Sequence, residues 1–85
     1  MRTRHHLETW VRSLSHDATA VLVLNRSGGS RSAKVRLSRV PGLPVAAHYE
    51  ARELWTGETV TLGPGGALRA SIPRHGVAMW RIRPV

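Results

Sequence analysis

Cysteine is absent from the 85-residue chain, which excludes disulfide staples, thiolate zinc sites and cysteine nucleophiles. The absence does not identify a compartment. Phenylalanine is missing too, so a core must rest on Val, Leu, Ala, Ile and the tryptophans Trp10, Trp55 and Trp80. Long apolar runs are lacking. The longest, Ala20-Val-Leu-Val-Leu24, falls far short of the ~20 residues that cross a bilayer. No apolar stretch follows the basic start Met1-Arg-Thr-Arg-His-His-Leu-Glu8 to make a signal peptide, so the chain expressed alone defaults to the cytoplasm. Acid is scarce: Asp and Glu total 5 against 13 Lys and Arg, for a net charge of +8. The basic residues are nearly all arginine and run from Arg2 to Arg83 without clustering. That spread fits codon bias better than a polyanion patch, and nucleic acid is disfavoured as a partner.

The length suits one domain, with roughly 60–65% of the unfolded surface buried and a thin core. Turn signals recur every 8–12 residues, the spacing of a sandwich or barrel. Seven strand-like segments lie between them: residues 7–14, 18–25, 33–38, 46–55, 58–62, 67–72 and 77–82. In the second, Val21 and Val23 take one face and Leu22 and Leu24 the other; the seventh is also apolar on both sides. Such strands sit at the centre of a sheet and are covered on both faces. The third alternates cleanly, with Ala33, Val35 and Leu37 opposite Lys34, Arg36 and Ser38. Thr56-Gly57 reads as a two-residue hairpin link. No long segment keeps a helical apolar period. The fold class is therefore all-β, an antiparallel two-sheet β-sandwich of about seven strands. Residues 1–6 are expected as a disordered basic N-terminus and residues 7–85 as the domain.

No catalytic constellation stands out. The acids are Glu8, Asp17, Glu50, Glu53 and Glu58. Glycoside hydrolysis needs two carboxylates about 5–10 Å apart. The odd offset between Glu50 and Glu53 sends them to opposite faces of a strand, where they pair with Arg52 and other surface cations. Histidines at 5, 6, 16, 48 and 75 show no metal-ligand spacing, and no metal or cofactor is expected. His75 is read as a local hydrogen-bonding residue of the corner formed by residues 73–76. A triad of Ser71, His75 and Asp17 is a drawing that almost any chain allows. Gly28-Gly29 and Gly65-Gly66 match no phosphate-binding loop, and no helix follows them. The tryptophans are read as core rather than as a stacking platform.

Four sequence words in order carry a resemblance. Trp10-Val-Arg-Ser-Leu14 is similar to an opening strand. Ala20-Val-Leu-Val-Leu-Asn-Arg-Ser27 is similar to an apolar strand ending in Asn-Arg. Arg52-Glu-Leu-Trp-Thr-Gly57 and Pro73-Arg-His-Gly-Val-Ala-Met-Trp-Arg-Ile82 complete the set. Together they resemble the C-terminal β-sandwich domain of the α-galactosidase and α-N-acetylgalactosaminidase (melibiase) family. The departure within these words is Glu53, where the family usually has Asp. The resemblance marks Trp10, Asn25, Leu54, Trp55, Gly57, His75, Gly76 and Trp80 as structural motif residues. It also implies that the chemistry belongs to a (β/α)₈ barrel, which this sequence does not contain, so no catalytic residue carries over.

The expected function is a non-catalytic accessory domain that packs against or stabilises such a barrel, as a separate subunit or what is left of a shortened gene. An apolar strip of more than a few hundred Å² should then lie exposed. The alternative is a stand-alone carbohydrate-binding module for a galactoside. Its binding residues would be Trp55 and Tyr49, with Trp10 a further candidate ring, beside Glu53 and His48. The third reading is a weak polyanion binder.

Overall fold

The computed structural model describes residues 2–4 and 6–85, the first three by their backbone alone. Its strands are β1 (Arg2–Arg4), β2 (Leu7–Ser13), β3 (Thr19–Asn25), β4 (Arg31–Arg36), β5 (Tyr49–Glu53), β6 (Thr59–Leu62), β7 (Ala67–Ile72) and β8 (Val77–Pro84). One antiparallel sheet runs β1-β2-β3-β8-β5-β6; β4 and β7 form a second. The chain is thus the all-β, two-sheet sandwich that its patterning predicts. Each expected segment has a counterpart, and β1 is additional. β1 sets Arg2 opposite Thr9 and Arg4 opposite Leu7 along the outer edge of β2. An open edge offers a row of unpaired N–H and C=O groups that a neighbouring segment can fill. Met1 and His5 lie outside the described residues.

The core lies between the sheets. Val21, Val23, Tyr49, Ala51, Ala78, Trp80 and Ile82 enter it from the large sheet, and Ala33, Leu68 and Ile72 from the small one. β3 and β8, the two segments apolar on both faces, are adjacent at the sheet centre, with Val21 opposite Trp80. Trp80 is only 4% exposed and supplies the bulk that Phe would otherwise provide; truncation of such a ring typically costs ~3–5 kcal/mol. Leu37 closes one end from a 3₁₀ turn (Leu37–Arg39), not from the end of a strand, and its N–H donates to Gly66 O at 3.0 Å.

Two local differences have clear causes. The fourth segment is extended only from Tyr49. The Tyr49 hydroxyl donates to Pro44 O and accepts from Ala46 N–H, which curls the preceding residues into a loop. Five residues, 54–58, lie between β5 and β6, and the turn closed by Glu53 and Glu58 spans four, 54–57, rather than two. Glu53 N–H donates to Glu58 O and Gly57 N–H to Glu53 O, and Gly57 takes φ 76°. That left-handed conformation favours glycine.

Candidate docking surface

Residues directly opposed in an antiparallel pair share a face, so the register maps the outer side of the large sheet. One row crosses it from Trp10 on β2 to Leu22 on β3 and Met79 on β8. Leu54 extends the row, because its N–H donates to Met79 O at 2.9 Å just beyond β5. A second row holds Glu8, Leu24 and Val77. Trp55 joins it in an unusual way. The backbone has turned away by then, and the indole Nε1–H donates to Val77 O at 2.8 Å as a substitute rung of the ladder. Apart from Glu8, whose carboxylate turns to Arg26, these two rows are apolar, and no third layer among the described residues covers them. Trp10 is 49% exposed, Leu54 39% and Trp55 64%.

The other part of the face is basic. Arg12 lies opposite Ala20, Ala20 opposite Arg81, and Arg81 opposite Arg52. The next pair is Arg83 and Glu50, joined by an ion pair of 3.0 Å. Hydrogen bonding to Glu50, and then its charge, raise the Arg83 guanidinium above its ordinary value. Opposed Arg52 and Arg81 repel. The face combines an apolar part with a strip of cations.

Several residues singled out from sequence sit differently from expectation. Trp10 and Trp55 are exposed, not core. On β2 the inward parity belongs to Leu7, Thr9 and Val11, which leaves Trp10 outside. Tyr49 is 4% exposed and its hydroxyl is engaged, so it offers no ring for stacking on a sugar. His48 is exposed, and its backbone carbonyl accepts from Val85 N–H. Among the described residues Glu53 pairs with no arginine. Its carboxylate accepts from Trp55 N–H at 3.1 Å, Thr56 N–H at 2.7 Å and the Thr56 hydroxyl at 2.6 Å. The Thr56 hydroxyl bond is the main cause of its lowered pKa; partial desolvation opposes this, and the two backbone N–H bonds add to it. This carboxylate caps the turn and has little left to offer a sugar.

His75 works through its backbone. Gly76 N–H donates to Pro73 O at 2.8 Å, and His75 has φ 54°, the sign pattern of a type II turn at its third residue. No side-chain hydrogen bond of His75 is seen among the described residues. A Cβ on Gly76 would lie 2.8 Å from Pro73 Cγ and 2.9 Å from Pro73 O, so only glycine fits. Asn25 is fully buried and ties this corner to the loop after β3. Its Nδ2 donates to Ile72 O and Gly29 O at 3.0 Å and to Pro73 O at 3.1 Å. Its Oδ1 accepts from Ser27 N–H and Oγ–H. The residues that sequence reasoning missed are Leu22, Leu24, Val77 and Met79 as a surface. Their signal is the second apolar face of β3 and β8, which the pattern alone assigns to a buried strand.

Among the described residues no group of three or more His, Cys, Asp or Glu side chains could hold a metal ion, and no helix is long and apolar enough to cross a membrane. The sequence profile of the α-galactosidase C-terminal β-sandwich domain matches residues 4–82. The α-galactosidase of Cyamopsis tetragonoloba is 30% identical over 84 residues, which is 99% of this chain and 20% of that protein. Similar folds occur in solved structures of α-galactosidase I from Mortierella vinacea (TM-score 0.81, 15% identity, 98% of this chain and 22% of that one). They occur also in a β-L-arabinopyranosidase from Geobacillus stearothermophilus (TM-score 0.81, 16% identity, 99% and 18%). The α-galactosidase of Saccharomyces cerevisiae gives a TM-score of 0.77 at 17% identity, over 98% of this chain and 30% of that one. At these identities the solved structures speak for the fold alone. The chain spans about a fifth of the length of the curated relative it matches. With its profile match across nearly the whole chain and its sandwich topology, this chain belongs to the family of α-galactosidase C-terminal β-sandwich domains.

Proposed function

We propose that this domain is a non-catalytic accessory unit that packs through the outer face of its large sheet against the catalytic barrel of a glycoside hydrolase. The observation that carries the reading is the row Trp10–Leu22–Met79–Leu54. Two central strands present apolar side chains on a face that no described layer covers, and such a patch marks an interaction site. Aromatic anchors beside a charged rim are the usual anatomy of an interface. The strip of Arg12, Arg52 and Arg81 asks for carboxylates on the partner. Three of the five carboxylates are engaged in structural contacts: Glu8 pairs with Arg26 at 2.9 Å, Glu50 with Arg83, and Glu53 caps a turn.

The test mixes this chain with an α-galactosidase barrel that lacks its own C-terminal domain and measures affinity and the barrel's thermal midpoint. The wild-type chain is expected to bind and to raise the midpoint. Trp10→Ser with Leu54→Ser is expected to weaken binding at least ~100-fold, by analogy with the ~2 kcal/mol or more carried by each central anchor of an interface. Unchanged binding by that variant would remove the face from consideration.

A second reading keeps one specific observation. Trp55 is 64% exposed with its Nε1–H already bonded, so its ring is held in place and open to solvent. A fixed exposed ring suits stacking on a galactoside. Chemical-shift changes at Trp55 on adding millimolar galactose to the chain would favour this module over the docking role; a silent spectrum removes it.

A further inference from the structure

The outer face of the small sheet is a separate surface, on the far side of the sandwich from the apolar rows. Register sets Lys34 opposite Arg69, Ser32 opposite Ser71 and Arg36 opposite Ala67. Ala33, Leu68 and Ile72 point into the core, so alternation turns Ser32, Lys34, Arg36, Arg69 and Ser71 outward. All five are exposed. Like charges directly opposed across a strand pair repel, yet neither β4 nor β7 carries an acid. The ion pairs found among the described residues involve other arginines, Arg26 and Arg83. The Lys34 ammonium sits below its ordinary value, chiefly through Arg36 and then Arg69. Between the two strands is a shallow hollow lined by Ser32, Lys34, Arg69 and Ser71, with Ala33 and Ala70 alongside.

We propose that this hollow binds a multivalent oxyanion, a phosphate or sulfate group, either free or carried as an ester on a polysaccharide. A tetrahedral dianion relieves the Lys34–Arg69 repulsion. It matches the guanidinium fork of Arg69, and Lys34 meets it as a point charge. The hydroxyls of Ser32 and Ser71 donate to the remaining oxygens, and Arg36 extends the charge along β4. No aromatic residue belongs to this face, so it has no platform for the bases of a single-stranded nucleic acid.

The experiment titrates the 85-residue chain with pyrophosphate, dextran sulfate and uncharged dextran while amide shifts are followed by NMR. Pyrophosphate and dextran sulfate are expected to move Ser32, Lys34, Arg69 and Ser71 selectively, with affinity falling as salt rises; uncharged dextran is expected to move nothing. Lys34→Gln with Arg69→Gln is expected to weaken both anions about tenfold, roughly a factor of three for each lost exposed charge contact. Arg39→Gln with Arg74→Gln removes equal charge elsewhere and should leave affinity within about twofold. Dispersed spectra of both variants confirm folding. Selective shifts with pyrophosphate alone identify the free ion as the ligand, and selective shifts with dextran sulfate alone the polysaccharide ester. Equal weakening by the two variants, or shifts spread over all the arginines, would overturn the proposal, since binding would then follow net charge.

Discussion

Asn25 holds three carbonyls and one serine at once. Its amide reaches Gly29, Ile72 and Pro73, and its carbonyl holds Ser27. These partners come from the loop after β3 and from the end of β7, so a single side chain fastens the large sheet to the small one. Asn25→Ala leaves several buried polar groups unpaired, each costing ~1–3 kcal/mol. The expected loss is about 3 kcal/mol in urea unfolding, a large part of the stability of so small a domain. Glu53 predicts a pH effect. Its pKa is lowered in the folded chain, chiefly by the Thr56 hydroxyl. A carboxylate with a lowered folded pKa contributes stability that is full above its unfolded pKa and disappears as pH falls through the folded one. Thermal midpoints measured from pH 7 down to pH 2.5 should therefore drop on the acid side. Glu53→Gln should remove part of that drop while costing about 1 kcal/mol at neutral pH, the usual size of a lost capping interaction. Parallel acid profiles for the two proteins would mean that the cap carries no such term.

At the level of elements, the β2–β3 connection departs from the preference of its own turn. His16 and Asp17 both take φ 60°, and Ala18 N–H donates to Ser15 O. Positive φ at both central residues marks a type I′ turn, which favours Asn-Gly. His16→Asn with Asp17→Gly should stabilise the chain by about 1 kcal/mol, since left-handed backbone is costly for most side chains. Urea unfolding checks it, and a loss of stability would mean that His16 or Asp17 makes a contact worth more than its strain. The elements were largely legible because β-patterning is local: Val21/Val23 against Leu22/Leu24 and the alternation through Lys34 and Arg36 mark strands directly. What stayed hidden depends on distant groups. The parity of Trp10 is set by which side the small sheet covers. The width of the 54–57 loop is set by the reach of the Glu53 carboxylate. The burial of Tyr49 is set by Pro44 and Ala46.

On the scale of the whole molecule, a large-sheet face that is part apolar and part basic and a basic small-sheet face must share a small surface. The chain carries +8, which keeps copies apart at low ionic strength. Salt screens that repulsion and leaves Trp10, Leu54 and Trp55 free to meet another copy. Sedimentation of the isolated chain should show self-association that grows with salt and protein concentration. Trp10→Thr with Leu54→Thr should abolish it with a stability change within about ±0.5 kcal/mol, as for most surface substitutions. Self-association that persists in this variant would point to a sheet edge instead.

The place of β8 gives the fold an order in time. It lies between β3 and β5 in the large sheet yet follows every other strand in sequence. As the chain leaves the ribosome, the β2–β3 and β5–β6 hairpins can each close soon after emerging, but nothing joins them. Trp80 and Ile82, which fill the space between the sheets, arrive only after the other strands of the domain. Until then the nascent chain is two loosely held hairpins and an unfilled core, and closing a sheet through such distant contacts is slow. A chain arrested before Val77 has lost the strand that unites its halves, while one that reaches Pro84 can complete its sheet in a single insertion.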